Sequence, residues 1–182
     1  MYWLAYAVGI VPIVAVVVMR ERRRVYHLVA AGLAMSFVAD SFVLAGMSWT
    51  AATYVYPLFQ MSLIGAAVIR RRDLAAGFVI ALVVAAALSA IQGSLETAEI
   101  VVRVGGALAV CVLIWNEKEL GGIRPALLVY LGLGSVFRVG FPLFSELPLW
   151  LWGGYQLCRA SGTVIFVHSM YQQKGGPHLV SV

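Results

Sequence analysis

Residues 25–46, VYHLVAAGLAMSFVADSFVLAG, form a mostly apolar run of about 20 residues, long enough to cross a bilayer core as one helix. Asp40 stands inside it. A carboxylate within a transmembrane span is expensive, and by default it marks a functional site with a partner to be named. Three cations elsewhere in apolar surroundings are candidates for that partner: Arg103, Arg138 and Arg159.

Composition extends the membrane expectation to the whole chain. Of 182 residues, 62% are hydrophobic and 12% charged, whereas soluble domains are nearer half apolar and a quarter charged. The length holds roughly seven helices of 20 residues with short connections, and no extramembrane domain is expected. The apolar runs place helices near 2–19, 25–46, 51–69, 74–91, 97–115, 125–139 and 149–171. Ser94 suits the N-cap of the fifth, with Glu96 in its first turn, and Pro125 suits the first turn of the sixth. The N-terminal run has no basic residues before it and Arg20, Arg22, Arg23 and Arg24 after it. That order is the reverse of a cleavable signal peptide, so the run is expected to stay as the first helix.

The net charge of +5 does not point to nucleic acid, because no basic groove with interleaved aromatics is present. Apart from Arg103, Arg138 and Arg159, every Lys and Arg falls in the connections after helices 1, 3 and 5 or in the tail. Such one-sidedness puts the N-terminus outside and the C-terminus in the cytoplasm, in what is expected to be a bacterial cytoplasmic membrane. Trp3, Trp49, Trp150 and Trp152 then form an outer aromatic belt, with Trp115 at the inner boundary. Cys111 and Cys158 lie in apolar spans without a CxxC pattern and are expected to be small buried hydrophobes.

Helices 1–3 and 5–7 resemble two copies of one unit. Val8-Gly9 before Arg20-Glu21-Arg22 parallels Val104-Gly105 before Asn116-Glu117-Lys118; Gly32-Leu33 with Phe37 parallels Gly132-Leu133 with Phe137; Leu58-Phe59-Gln60 parallels Leu157-Cys158-Arg159. The expected organisation is one all-α transmembrane domain over 1–174, a polytopic seven-helix bundle. It comprises unit 1 (1–73), a linker helix (74–93) and unit 2 (94–174), followed by a polar, frayed tail over 175–182.

This three-plus-one-plus-three order is similar to that of SWEET and PQ-loop sugar carriers, although no Pro-Gln pair occurs here. It is also similar to that of microbial rhodopsins, although the seventh span lacks their retinal-bearing lysine. Likeness of architecture implies no function. A local resemblance is chemical. Gly32-Leu33-x-x-Ser36-x-x-x-Asp40 resembles the GLxxSxxGD segment of YhhN-type membrane proteins, which include lysoplasmalogenases. Their second carboxylate, in a GxxxFxxSD-like segment, corresponds to Arg138 in Gly134-Ser135-Val136-Phe137-Arg138, and Gln60 stands roughly where they carry histidine. Hydrolysis by that route would lack two of its groups.

Asp40, Gln60, Glu99, Arg103, Arg138 and Arg159 are therefore the candidate binding residues, in the middle and outer half of the bundle. Three guanidiniums against Asp40 and Glu99 leave one positive charge over, and arginine stays charged when buried. Arg159 is the expected carrier of that charge, facing a polar interior within reach of a ligand, because its counterpart Gln60 is neutral. The alternative is that the buried charges merely fix how the units pack. His27 and His168 sit near the inner face, where a histidine with a backbone partner is the simplest expectation. Ser36 and Ser161, with Gly32 and Gly162, are expected to be small packing residues.

The leading expectation is a protein that binds or transports a small anionic or amphiphilic molecule, with membrane lipids as partners and no cofactor, metal or nucleic acid. The alternatives are an intramembrane lipid-modifying enzyme using Asp40 as acid or base, and an accessory subunit of a larger membrane complex. A homo-oligomer is compatible with each.

Overall fold

The computed structural model describes residues 2–44, 49–69, 72–93, 95–115, 120–140 and 148–175. The side chains of Asp40, Glu96, Glu99 and Arg138 lie outside the described set, as does Ser94. The described residues are all-helical, with no strand, and they form seven helices. These are α1 (Tyr2–Val18), α2 (Arg24–Leu44), α3 (Trp49–Val68), α4 (Arg72–Gln92), α5 (95–115), α6 (123–140) and α7 (Leu149–Gly175).

Both α5 and α6 contain a π-helical stretch, Val101–Gly105 and Leu128–Leu133 respectively. The flanking residues keep helical dihedrals, so each helix continues through its wider turn without a break. Such insertions rotate the following side chains and recur at functional sites. Here one carries Arg103 and the other Tyr130.

Packing follows chain order around a ring. α1 lies against α2 and α7, α2 against α3, α3 against α5, α5 against α6, and α6 against α7. α4 touches α3 and α5 from outside the seam between them. Its Ala, Val and Leu side chains consequently cover little: only 6% of its apolar window is buried. Among the described residues, α4 supplies the one stretch, Asp73–Gln92, long and apolar enough by itself to cross a membrane, with mean hydropathy 2.6. Shorter apolar stretches are Val8–Val18, Arg24–Val38, Tyr56–Val68, Val101–Trp115 and Ile123–Phe137.

Among the described residues the buried apolar cluster includes Val29, Ile64, Val110, Leu127, Phe166 and Met170. Large apolar side chains also face outward from α1, α3, α4, α5, α6 and α7. Meanwhile Ser36, Gln60, Arg103, Ser135, Arg159 and Thr163 are buried.

At the basic end α1 stops in a Schellman turn. Arg20 takes φ 49°, its N–H donates to the Val17 carbonyl, and the N–H of Glu21 donates to that of Val16, both at 3.0 Å. This is the position that glycine usually fills. The turn buries Glu21, whose carboxylate accepts the backbone N–H groups of Arg22 and Arg23 and both ends of the Arg23 guanidinium, at 2.8 and 2.9 Å. Arg23 reaches on to Gln173 of α7. The last turn of α7 is thus held by a partner across the bundle, and the helix runs to Gly175, four residues past the end expected at 171. The His27 ring donates from Nε2 to the Glu21 carbonyl at 2.7 Å, a backbone partner as expected.

The hydrogen bonds from Arg23, with those from backbone N–H groups, lower the Glu21 carboxyl from its ordinary value near 4.5 to about 2. The unfolded chain therefore binds more protons in that window, and stability falls as pH drops from about 4.5 toward 2. Half-exposure of Arg23 keeps the effect modest. Melting of the purified protein should show an acid-side loss that Glu21→Gln reduces. An identical acid profile in the variant would show that Glu21 contributes nothing.

Candidate functional site

Arg159, on α7, is 3% exposed. Its Nε donates to the Tyr130 hydroxyl at 3.3 Å, one terminal nitrogen donates to Gln156 Oε1 at 3.0 Å, and the other donates to Ser36 Oγ. The two hydroxyls then donate to a single acceptor, the carbonyl of Leu33, from Tyr130 at 3.2 Å and from Ser36 at 3.3 Å. The positive charge is spread through two hydroxyls to a backbone dipole, each bond polarising the next. Ser36, expected only to let helices approach, is thus part of the cluster.

Two glycines bring the cluster's helices together. Built on Gly32, a Cβ would lie 2.6 Å from Ile64 Cγ1 and 3.3 Å from the Gln60 carbonyl, so α2 and α3 touch there. Gln60 uses the proximity, donating from Nε2 to the Gly32 carbonyl at 3.0 Å. Built on Gly162, a Cβ would meet Tyr130 Cβ at 2.6 Å and the Ala126 carbonyl at 2.9 Å, so α6 and α7 touch one turn from Arg159.

Beside the cluster lies a small cavity with space for about one water. Gln60, Arg103, Tyr130, Ser135 and Tyr155 line it together with Met61, Ala107, Leu131 and Gly134. Both π-helical segments face it, through Arg103 and through Tyr130 and Leu131. The Arg103 guanidinium lies 4.7 Å from the centre of the Tyr56 ring, and that of Arg159 lies 5.8 Å from the Tyr155 ring. These separations are within reach of cation–π attraction. Ser135 donates to the Leu131 carbonyl at 2.5 Å. Further along α7, toward the basic end, Thr163 Oγ1 is buried without a hydrogen-bond partner among the described residues, as is Tyr26 OH on α2.

Of the candidate residues, Gln60 and Arg103 share the cavity and Arg159 joins it through Tyr130. Arg159 is closed over instead of lining the cavity, so an entering group would meet Arg103 and Gln60 before it. The side chains of Asp40, Glu99 and Arg138 lie outside the described residues. Tyr56, Tyr130 and Tyr155 did not stand out in the sequence. Their signal was a phenol in an apolar span, since a buried hydroxyl of this kind usually has a partner.

Chemically, the arrangement supplies two fixed cations, three phenols and neutral donors. No carboxylate is among the residues lining the cavity. No group of three or more His, Cys, Asp and Glu able to hold a metal occurs among the described residues. Such a donor set suits a carboxylate or phosphate oxygen, which arginine binds with directed hydrogen bonds.

Comparison with protein-family models, with curated proteins and with solved structures gives no match.

Proposed function

We propose that this chain is an integral membrane bundle of seven spanning helices that binds or carries a small anionic or amphiphilic molecule in its polar interior. The observation that carries the proposal is the state of Arg159: a buried guanidinium whose hydrogen-bond partners among the described residues are all neutral. A charge so placed costs about 2.5–3.5 kcal/mol on insertion scales. A binding site for an anion offsets that cost when occupied. The outward apolar faces and inward polar groups support the membrane placement. The basic residues after α1 and α3 and around α6 and α7 support an N-terminus outside and a C-terminus in the cytoplasm.

Two three-helix units with α4 as linker fit the packing. α3 meets α5 as α7 meets α1, which is the relation a two-fold axis along the bundle would give. Gln60 and its counterpart Arg159 are both buried; in one unit the position is neutral, in the other it carries the cation.

The accessory-subunit alternative draws on the small size of the cavity, and one experiment separates the two. The detergent-solubilised protein is melted with a fatty acid, a lysophospholipid phosphate monoester, inorganic phosphate and an uncharged monoacylglycerol. An anionic species that binds at a hundredfold excess over its Kd adds about 2.7 kcal/mol. That gain should vanish in Arg103→Gln. Equal shifts from the uncharged lipid, or none from any anion, would leave the arginines as packing groups.

A further inference from the structure

A second site lies on the outer surface between α5 and α6. Leu108, Cys111, Trp115, Leu128, Gly132 and Val136 are among the residues lining an open groove of about 630 Å³, and no charged side chain lines it. Gly132 forms its floor, where an added Cβ would lie 3.3 Å from Cys111 Sγ. From Leu108 to Trp115 the groove runs about 10 Å along α5, at 1.5 Å per residue.

Its two ends differ in chemistry. Trp115 closes α5 at the basic end of the bundle, and the Arg124 guanidinium lies 5.7 Å from the centre of its indole ring. Arg124 makes no ion pair among the described residues. A hydrocarbon channel is thus capped by a cation and an amphipathic aromatic side chain at the level where headgroups lie. Basic positions between membrane helices on the cytoplasmic side recognise anionic headgroups.

We infer that this groove seats one acyl chain of an anionic phospholipid, with its net negative headgroup on Arg124. The inference rests on the membrane placement proposed above. It is independent of the inner cavity, with which the groove shares no lining residue.

Native mass spectrometry of the full chain tests it, after alkaline carbonate extraction of membranes. Phosphatidylglycerol and phosphatidylcholine with identical chains are the probes. Resistance to carbonate upholds the membrane placement, and release by carbonate overturns that placement and the lipid site together. In the resistant protein, phosphatidylglycerol should be retained about fivefold more strongly than phosphatidylcholine, the worth of one arginine near an anionic headgroup. Arg124→Gln should erase the preference and Arg124→Lys should keep most of it. Val112→Trp fills the groove at a side chain already 74% exposed, so folding is undisturbed, and it should reduce retention of both lipids. Equal retention unaffected by Arg124→Gln overturns the headgroup assignment. A concentration-dependent dimer abolished by Val112→Trp overturns the lipid as occupant in favour of a second copy.

Discussion

Replacing Gly162 by alanine is expected to cost roughly 1–3 kcal/mol, the usual range for overpacking. The same change at Gly153 on the same helix is expected to cost nothing and to gain up to about 1 kcal/mol of helix propensity. Both glycines lie within α7, so propensity favours alanine equally at each. Their surroundings differ. A methyl group on Gly153 meets nothing within 4 Å. On Gly162 it would lie 2.6 Å from Tyr130 Cβ, 2.9 Å from the Ala126 carbonyl and 3.0 Å from the Tyr130 nitrogen. Relief requires moving α6 itself, and moving α6 pulls the Tyr130 hydroxyl away from Arg159. Gly154 falls between them. Its nearest neighbour would be the Phe137 ring at 2.2 Å, and a ring edge can swing aside more cheaply than backbone. Melting temperatures of the three alanine variants should therefore rank Gly153 highest, Gly154 next and Gly162 lowest. Equal melting of the Gly153 and Gly162 variants would show that close approach of α6 and α7 does not hold the bundle together.

The helices were legible because each is an apolar run bounded by charge or by glycine, and most boundaries fall within two residues of expectation. The residues at 172–175 were not, because their helix is held by Arg23 from across the bundle and not by local composition. The π-helical segments carry no compositional mark, so the aim of Arg103 and Tyr130 at one cavity could not be foreseen. Gln60, Arg103 and Arg159 were legible because polar groups in apolar spans are costly whatever the fold. The pairing of Gly9 with Gly105 shows the limit of matching letters. A Cβ on Gly9 would strike Phe37 Cβ at 2.7 Å, whereas one on Gly105 meets open space. Shared glycines in apolar helices arise from unlike packing needs.

Arg159→Met should abolish anion-dependent stabilisation and lower the stability of the ligand-free protein by an amount that Asp40→Asn does not restore. Methionine is close to arginine in length and fills the space without a charge. Removing the guanidinium recovers the cost of holding it in the interior, about 2.5–3.5 kcal/mol on insertion scales. The loss is three hydrogen bonds to neutral groups, worth about 1.5–3 kcal/mol each for a charged donor, so the balance is a net loss of about 1–6 kcal/mol. The Ser36 and Tyr130 hydroxyls still donate to the Leu33 carbonyl, so neither is left with an unsatisfied proton. Arg159→Gln, which restores the neutral residue found at position 60, should lose the anion response in the same way. A different outcome follows if Asp40 neutralises Arg159. Methionine would then strand a buried carboxylate and cost roughly 3–5 kcal/mol, and adding Asp40→Asn would restore the stability. Rescue of that kind would make Arg159 half of a structural ion pair and remove the basis for an anion site. Loss of binding, with no effect of Asp40→Asn on the melting of the methionine variant, would place the spare positive charge at the service of a ligand.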